Sequence, residues 1–270
     1  MNSPTSLEAS AIVRARLHGT LADEQVEQIL RAEIAGFATA TDDHTVEWNA
    51  DAWIGAAEGI EATPGWDWDL VGPLSTIAHS LPTGTEHAGW KAIRRADVFA
   101  RSGDPLDVFL LSMAWGFGDR GYGWSRTQKM LQSAGKDGVH HLVDRLHAAA
   151  ARGDAAAAWA AWSRPSDARI RGLGTAFASK LAYFSCYDRA SACGPLIADL
   201  NTAWSLWALG DVWDSRTSGT CYEAYVNWAQ QWAVRCADGT DVRSDDIERA
   251  LFNLGLGVRR AWKGRDAKSR

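Results

Sequence analysis

Lysine is scarce in this chain. Of its 28 basic residues, 22 are arginine and 6 are lysine. Where a lysine stands among arginines, its amine can do one thing a guanidinium cannot, which is to form an imine. Cysteine is scarce too. Cys186, Cys193, Cys221 and Cys236 show no C-x-x-C spacing, which points to free thiols in a reducing cytoplasm and away from a metal site or disulfide framework. With 13 Val and 10 Ile, β-branched residues are too few for a large sheet. The longest apolar run, Ala155 to Trp162, is eight residues, far short of a membrane span. The opening Met1-Asn-Ser-Pro-Thr-Ser has neither a basic nor an apolar stretch of the secretory kind, so a cytoplasmic protein is expected.

The net charge of −5 argues at first against nucleic acid, but it is unevenly spread. Residues 1–100 hold 6 basic and 15 acidic residues, and residues 101–270 hold 22 basic and 18 acidic. Six of the last twelve residues, from Arg259 onward, are basic and one is acidic. An acidic protein of this kind can still carry a DNA-facing side, although a solvated tail accounts for the same residues.

The chain is rich in helix formers, and helical patterns are expected near 5–17, 21–36, 86–101, 105–116, 137–151, 154–163, 165–171, 175–187, 199–209, 219–236 and 244–254. Asp104-Pro105 supplies an N-cap and a first-turn proline, Asp137-Gly precedes Val139, and Gly255 is expected to close the last helix. Residues 44–84, with Trp48, Trp53, Trp66 and Trp68 among glycine, proline and acidic residues, are expected to be irregular, with a little strand near 44–48. The expectation is an all-α protein. Its fifteen tryptophans are first of all packing residues, Trp204 and Trp207 included.

Residues 170–199 carry the chemistry. Gly172-Leu-Gly174, set between helical patterns, is a turn able to offer backbone amides to a phosphate, with Arg171 before it and Thr175 after it. Lys180 lies on the helix that follows. Its helical neighbours are Ala176, Phe177, Tyr183 and Phe184, an apolar and aromatic surround that favours a neutral, nucleophilic amine. A lysine snorkelling from the edge of a core would show the same pattern. Asp199, after the Gly194-Pro195 turn, is a helix N-cap by position, and a capping carboxylate can still present one oxygen to a substrate.

The stretch Trp115-Gly-Phe-Gly-Asp-Arg-Gly-Tyr-Gly-Trp124-Ser-Arg126 formally contains G-x-G-x-x-G at Gly116, Gly118 and Gly121. A dinucleotide fold would need a preceding strand and a βαβ unit, and neither is legible. A glycine-rich loop carrying aromatics, Arg120 and Arg126 is the better reading, suited to stacking a base or approaching a phosphate.

With these residues assembled, the chain resembles the helix-hairpin-helix DNA glycosylase superfamily, and most of all the bacterial 8-oxoguanine DNA glycosylase-like, OGG-fold proteins. The likeness rests on the Trp115–Arg126 segment, the Gly172–Phe184 hairpin and helix, the Pro195–Asp199 turn, and Ile247–Gly255, spanning about residues 104–256. It implies two helical subdomains with a cleft for a flipped base. An acidic region at 1–100 would precede a glycosylase-like core at 101–258 and a basic tail at 259–270. Lys180 would be the Schiff-base nucleophile and Asp199 the acid that stabilises the sugar cation. Arg171, Gly172, Gly174 and Thr175 would bind DNA, and Trp115, Phe117, Tyr122, Trp124 and Arg126 would line the base pocket. In relatives the lysine stands two residues past the second glycine, where this chain has Ala176; Lys180 is one helical turn further on. The iron–sulfur cysteine cluster of some relatives is absent, and no metal or cofactor is implied. The implied partner is duplex DNA with a damaged base, acted on by a monomer with glycosylase and abasic-site lyase activity and no membrane contact. Two rivals fit the same residues: a helix-hairpin-helix DNA-binding or regulatory protein without chemistry, and an unrelated helical ligand-binding protein with a tryptophan-lined pocket.

Overall fold

The computed structural model describes residues 6–18, 21–85, 87, 89–210 and 216–266. Twelve α-helices, one short 3-10 helix (Thr41–Asp43) and one two-stranded sheet make up the regular structure of these residues, so the protein is all-α. Lys268 and Arg270 of the basic tail lie outside the described residues. The chain divides into two compact units, one formed by 1–41, 152–159 and 187–270, the other by 42–151 and 160–186. A helix at Ala155–Trp162 (α8) contributes to both.

The continuous-looking unit begins with an antiparallel pair, β1 (Thr45–Asn49) and β2 (Trp90–Arg94), in register Trp48 to Lys91. The strand expected near 44–48 is therefore present. Its partner occupies part of the helix expected at 86–101, which is reduced to the short α5 (Arg95–Phe99). The Ala92 amide donates to Pro82 O at 3.0 Å, ten residues back and so beyond the reach of a helical bond. Residues 44–84, expected to be irregular, hold two helices, α3 (Ala50–Glu61) and α4 (Val71–Ser80). Asn49 caps α3 by accepting the Ala52 amide at 3.0 Å.

Helix α6 (Pro105–Phe117) is the centre of this unit. Asp104 accepts the Leu106 and Asp107 amides at 2.9 Å each, and Pro105 follows at the first helical position. Every residue from Val108 to Trp115 is buried, as expected of a helix surrounded by α4, α5, α7, α9 and β1. Gly118 ends it at φ 58°, a conformation other residues rarely adopt. The long α7 (Gly123–Ala150) follows after only five residues, interrupted at Gly135 (φ 68°, ψ 165°). The expected helix from 137 is thus its second half, and its first half replaces much of the expected glycine loop.

The other unit gathers α1 (Ser6–His18), α2 (Asp23–Ala35), α10 (Leu200–Leu209) and α11 (Gly219–Cys236) around α12 (Ser244–Asp266). Val13, Val26, Leu30, Leu206, Tyr225, Ile247, Leu251 and Val258 are among its core residues. Gly255 does not close α12, as expected from sequence, but lies within it. A Cβ there would lie 1.9 Å from Asn201 O, so the glycine lets α12 press against the start of α10.

Candidate functional site

The hairpin is entered through turns, not through the helix expected at 165–171. Ser166 and Arg169 amides donate to Ser163 O and Ser166 O at 2.9 and 3.4 Å, and the Ser166 hydroxyl accepts the Ala168 amide at 3.1 Å. Serine side chains that bind nearby backbone amides favour such turns over helix, and Pro165 has no amide to give to one. Gly172 takes φ 91°, and the Leu173 side chain is buried between exposed Gly172 and Gly174. Ser133 on α7 holds the turn by donating to Arg171 O at 3.2 Å. The Arg171 side chain itself is exposed.

Helix α9 (Thr175–Cys186) starts directly after Gly174. Gly174 O accepts the Phe177 and Ala178 amides at 3.0 and 2.9 Å. The Thr175 and Ala176 amides therefore stand ahead of any intrahelical acceptor, at the electropositive end of the helix.

Lys180 lies one turn along α9, with 8% of its surface exposed. Long helical side chains lean toward the helix N-terminus, and this one does: Lys180 Nζ donates to Ala176 O at 3.2 Å. The amine sits 5.5 Å from the Phe177 ring centroid. Phe177 in turn stacks on Phe117 at 4.1 Å, with ring planes 28° apart.

The five residues expected to line the base pocket separate into two groups. Trp115 and Phe117 end α6, Trp124 begins α7, and all three are buried. Trp115 meets Phe184 at 5.4 Å and lies under the buried Arg95 guanidinium at 5.2 Å; Trp124 meets Trp53 at 5.3 Å. Tyr122 and Arg126 face solvent, Tyr122 with 47% of its surface exposed. Arg126 lies over the Tyr122 ring at 5.1 Å, and Arg120 donates to its hydroxyl at 3.3 Å. Sequence reasoning placed Phe177 beside Lys180 but not against Phe117, and did not single out Arg95 or His44, whose ring meets Trp115 at 5.3 Å. Their parts depend on pairings across 44 to 184, which no local pattern shows.

Asp199 belongs to the α12 unit, where it caps α10. Its Oδ1 accepts the Asn201 amide, the Thr202 amide and the Thr202 hydroxyl at 2.8, 3.0 and 2.9 Å. Among the described residues nothing bonds to Oδ2, and the residue is only half-buried. The capping role expected from sequence is present, and among the described residues one oxygen remains uncommitted. Among the described residues, no three His, Cys, Asp or Glu side chains are grouped to hold a metal ion, and no helix is long and apolar enough to cross a membrane.

An exposed glycine turn that opens a helix bearing a buried lysine, within an all-α chain, is the defining assembly of this protein. The chain belongs to the family described as "Putative 8-oxoguanine DNA glycosylase OGG-like protein", whose model matches residues 11–252. That membership supports a DNA-glycosylase-like, DNA-binding role. No curated protein and no solved structure matches the chain.

Proposed function

We propose that this protein is a bifunctional DNA glycosylase and abasic-site lyase that removes an oxidised purine, 8-oxoguanine first among the candidates, from duplex DNA. The observation that carries the reading is the Lys180 amine at Ala176 O. Relatives place their lysine at the position of Ala176, and the stem of Lys180 brings its amine back over the turn that separates them. Little of the Lys180 surface is exposed, the desolvated setting in which a lysine can serve as a nucleophile.

In this reading the flanking phosphate is held by the amides of the Gly172–Thr175 turn, with Arg171 adding charge. The damaged nucleotide is turned out of the helix. Lys180 Nζ attacks C1′, the C1′–N bond breaks, and its electron pair leaves with the base, which takes a proton. The C1′–O4′ bond then opens to an iminium, loss of a C2′ proton expels the 3′ phosphate, and water releases the lysine. Asp199, through Oδ2, balances the positive charge that grows on the sugar. Tyr122 and Arg126 contact the DNA, while Trp115, Phe117 and Trp124 form the wall behind the base pocket. The protein works as a cytoplasmic, nucleoid-associated monomer.

The test is incubation with duplexes carrying 8-oxoguanine, uracil or hypoxanthine, scored for strand cleavage with and without borohydride. Cleavage and a trapped adduct on the 8-oxoguanine duplex are expected. Salt-dependent DNA binding with neither product would leave the regulatory rival standing.

A further inference from the structure

Gly116, in the last turn of α6, makes a contact with Lys180 that its sequence setting does not announce. A Cβ built on Gly116 would lie 2.7 Å from Phe177 Cε1 and 2.9 Å from Lys180 Cδ. Carbon atoms at rest keep about 3.5–4.0 Å apart. Neither neighbour can give way freely. The Phe177 ring is already stacked on Phe117. The Lys180 contact is at mid-stem, and the amine beyond it is engaged with Ala176 O. The other two glycines of the G-x-G-x-x-G pattern answer different needs: Gly118 takes a positive φ beside Val46, and Gly121 has open space around it. The G-x-G-x-x-G pattern is therefore not one device, and its first glycine belongs to the lysine.

We propose that Gly116 is a positioning residue for Lys180, its missing side chain leaving the gap through which the lysine stem passes to bring the amine back over Ala176. The proposal rests on the reading of Lys180 as the nucleophile. It extends that reading by naming what sets the reach of the amine. A methyl group in the gap would divert the stem, and a displacement of about 1 Å at a reacting atom costs roughly a hundredfold in rate.

Two measurements on the full chain test this, one of them without DNA. The pH profile of Lys180 acetylation by acetic anhydride, read by mass spectrometry, is compared with that of exposed Lys129. Borohydride trapping on an abasic-site duplex is measured beside it. Gly116→Ala is expected to shift the Lys180 profile and leave that of Lys129 in place. It should slow trapping by about a hundredfold while DNA affinity holds. The double variant Gly116→Ala/Phe177→Leu removes the ring clash but keeps the methyl against Lys180 Cδ, and it carries the test if the single variant does not fold. It should regain melting temperature without regaining trapping or the native profile. An unchanged Lys180 profile in a folded variant, or full recovery in the double variant, overturns the proposal, since the glycine would then serve only the ring. If the wild-type chain traps no adduct, the catalytic reading fails, and the acetylation profile still decides whether Gly116 places the amine.

Discussion

Thr202 and Asp199 bind each other in both directions: the Thr202 hydroxyl donates to Asp199 Oδ1 at 2.9 Å and accepts the Asp199 amide at 3.1 Å. The pairing puts the whole structural role of Asp199 on one oxygen. Stability and chemistry should therefore separate by substitution. Asp199→Asn keeps a capping oxygen and should change stability by well under 1 kcal/mol. It should slow base removal roughly a hundredfold or more. Thr202→Val, at a fully buried site, should cost about 1–2 kcal/mol and change the rate far less. Thermal melts and single-turnover kinetics on both variants check this; a parallel loss in both would show that the two oxygens are not independent.

Lys180→Gln should keep the fold and lesion binding but abolish the borohydride adduct and strand cleavage, since an amide cannot form an imine. Undiminished adduct would move the nucleophile elsewhere, to the N-terminal amine or Lys129.

DNA affinity should fall steeply with salt, because each phosphate contact releases counterions. Arg171→Glu should weaken binding to every duplex about equally and reduce the slope of log K against log salt by about one or more. A change in lesion preference instead would place Arg171 at the base and not at the backbone.

Gly255→Ala would force a methyl group onto the Asn201 carbonyl. The expected cost is about 1–3 kcal/mol by denaturant unfolding, the usual range for overpacking. Gly103→Ala, with nothing near its Cβ, is the control and should stay within about 0.5 kcal/mol.

Burial pushes the Cys186 thiol up to about 12. In the unfolded chain a cysteine ionises near 8.5. Between those values the unfolded chain gives up a proton that the folded protein keeps, so stability falls as pH rises through that window. At pH 8 Cys186 should resist alkylation while exposed Cys193 reacts. The melting temperature of Cys186→Ala should fall less between pH 9 and 11 than that of the wild type.

What could be read from the sequence was what depends on neighbours along the chain. Asp104-Pro105, Asp199 and the Gly172–Gly174 turn act over three or four residues, and they stand where expected. The errors have non-local causes. Residues 90–94 look helical alone but pair with a strand 45 residues earlier. Gly55, Gly59 and Pro73 hid α3 and α4, which tertiary packing holds as helices in spite of them. Gly255 carries the composition of a helix end, yet its reason for being glycine is a carbonyl on another helix. For the candidate site, Lys180 and Asp199 were legible as residues. The direction of the lysine stem and the division of labour between the carboxylate oxygens were not, because both are set by atoms one turn away.

The α12 unit is assembled from segments far apart in the chain, and this sets an order of events during synthesis. Residues 42–186 leave the ribosome carrying everything their own unit needs. Helices α1 and α2 emerge well before α12, the helix they pack on. At about 5–20 residues per second, Val13, Val26 and Leu30 stay uncovered for roughly 10–50 s until Val258 arrives. A nascent chain stalled once residue 186 has cleared the ribosome should thus hold Lys180 in a folded unit while α1 and α2 remain clients for a chaperone.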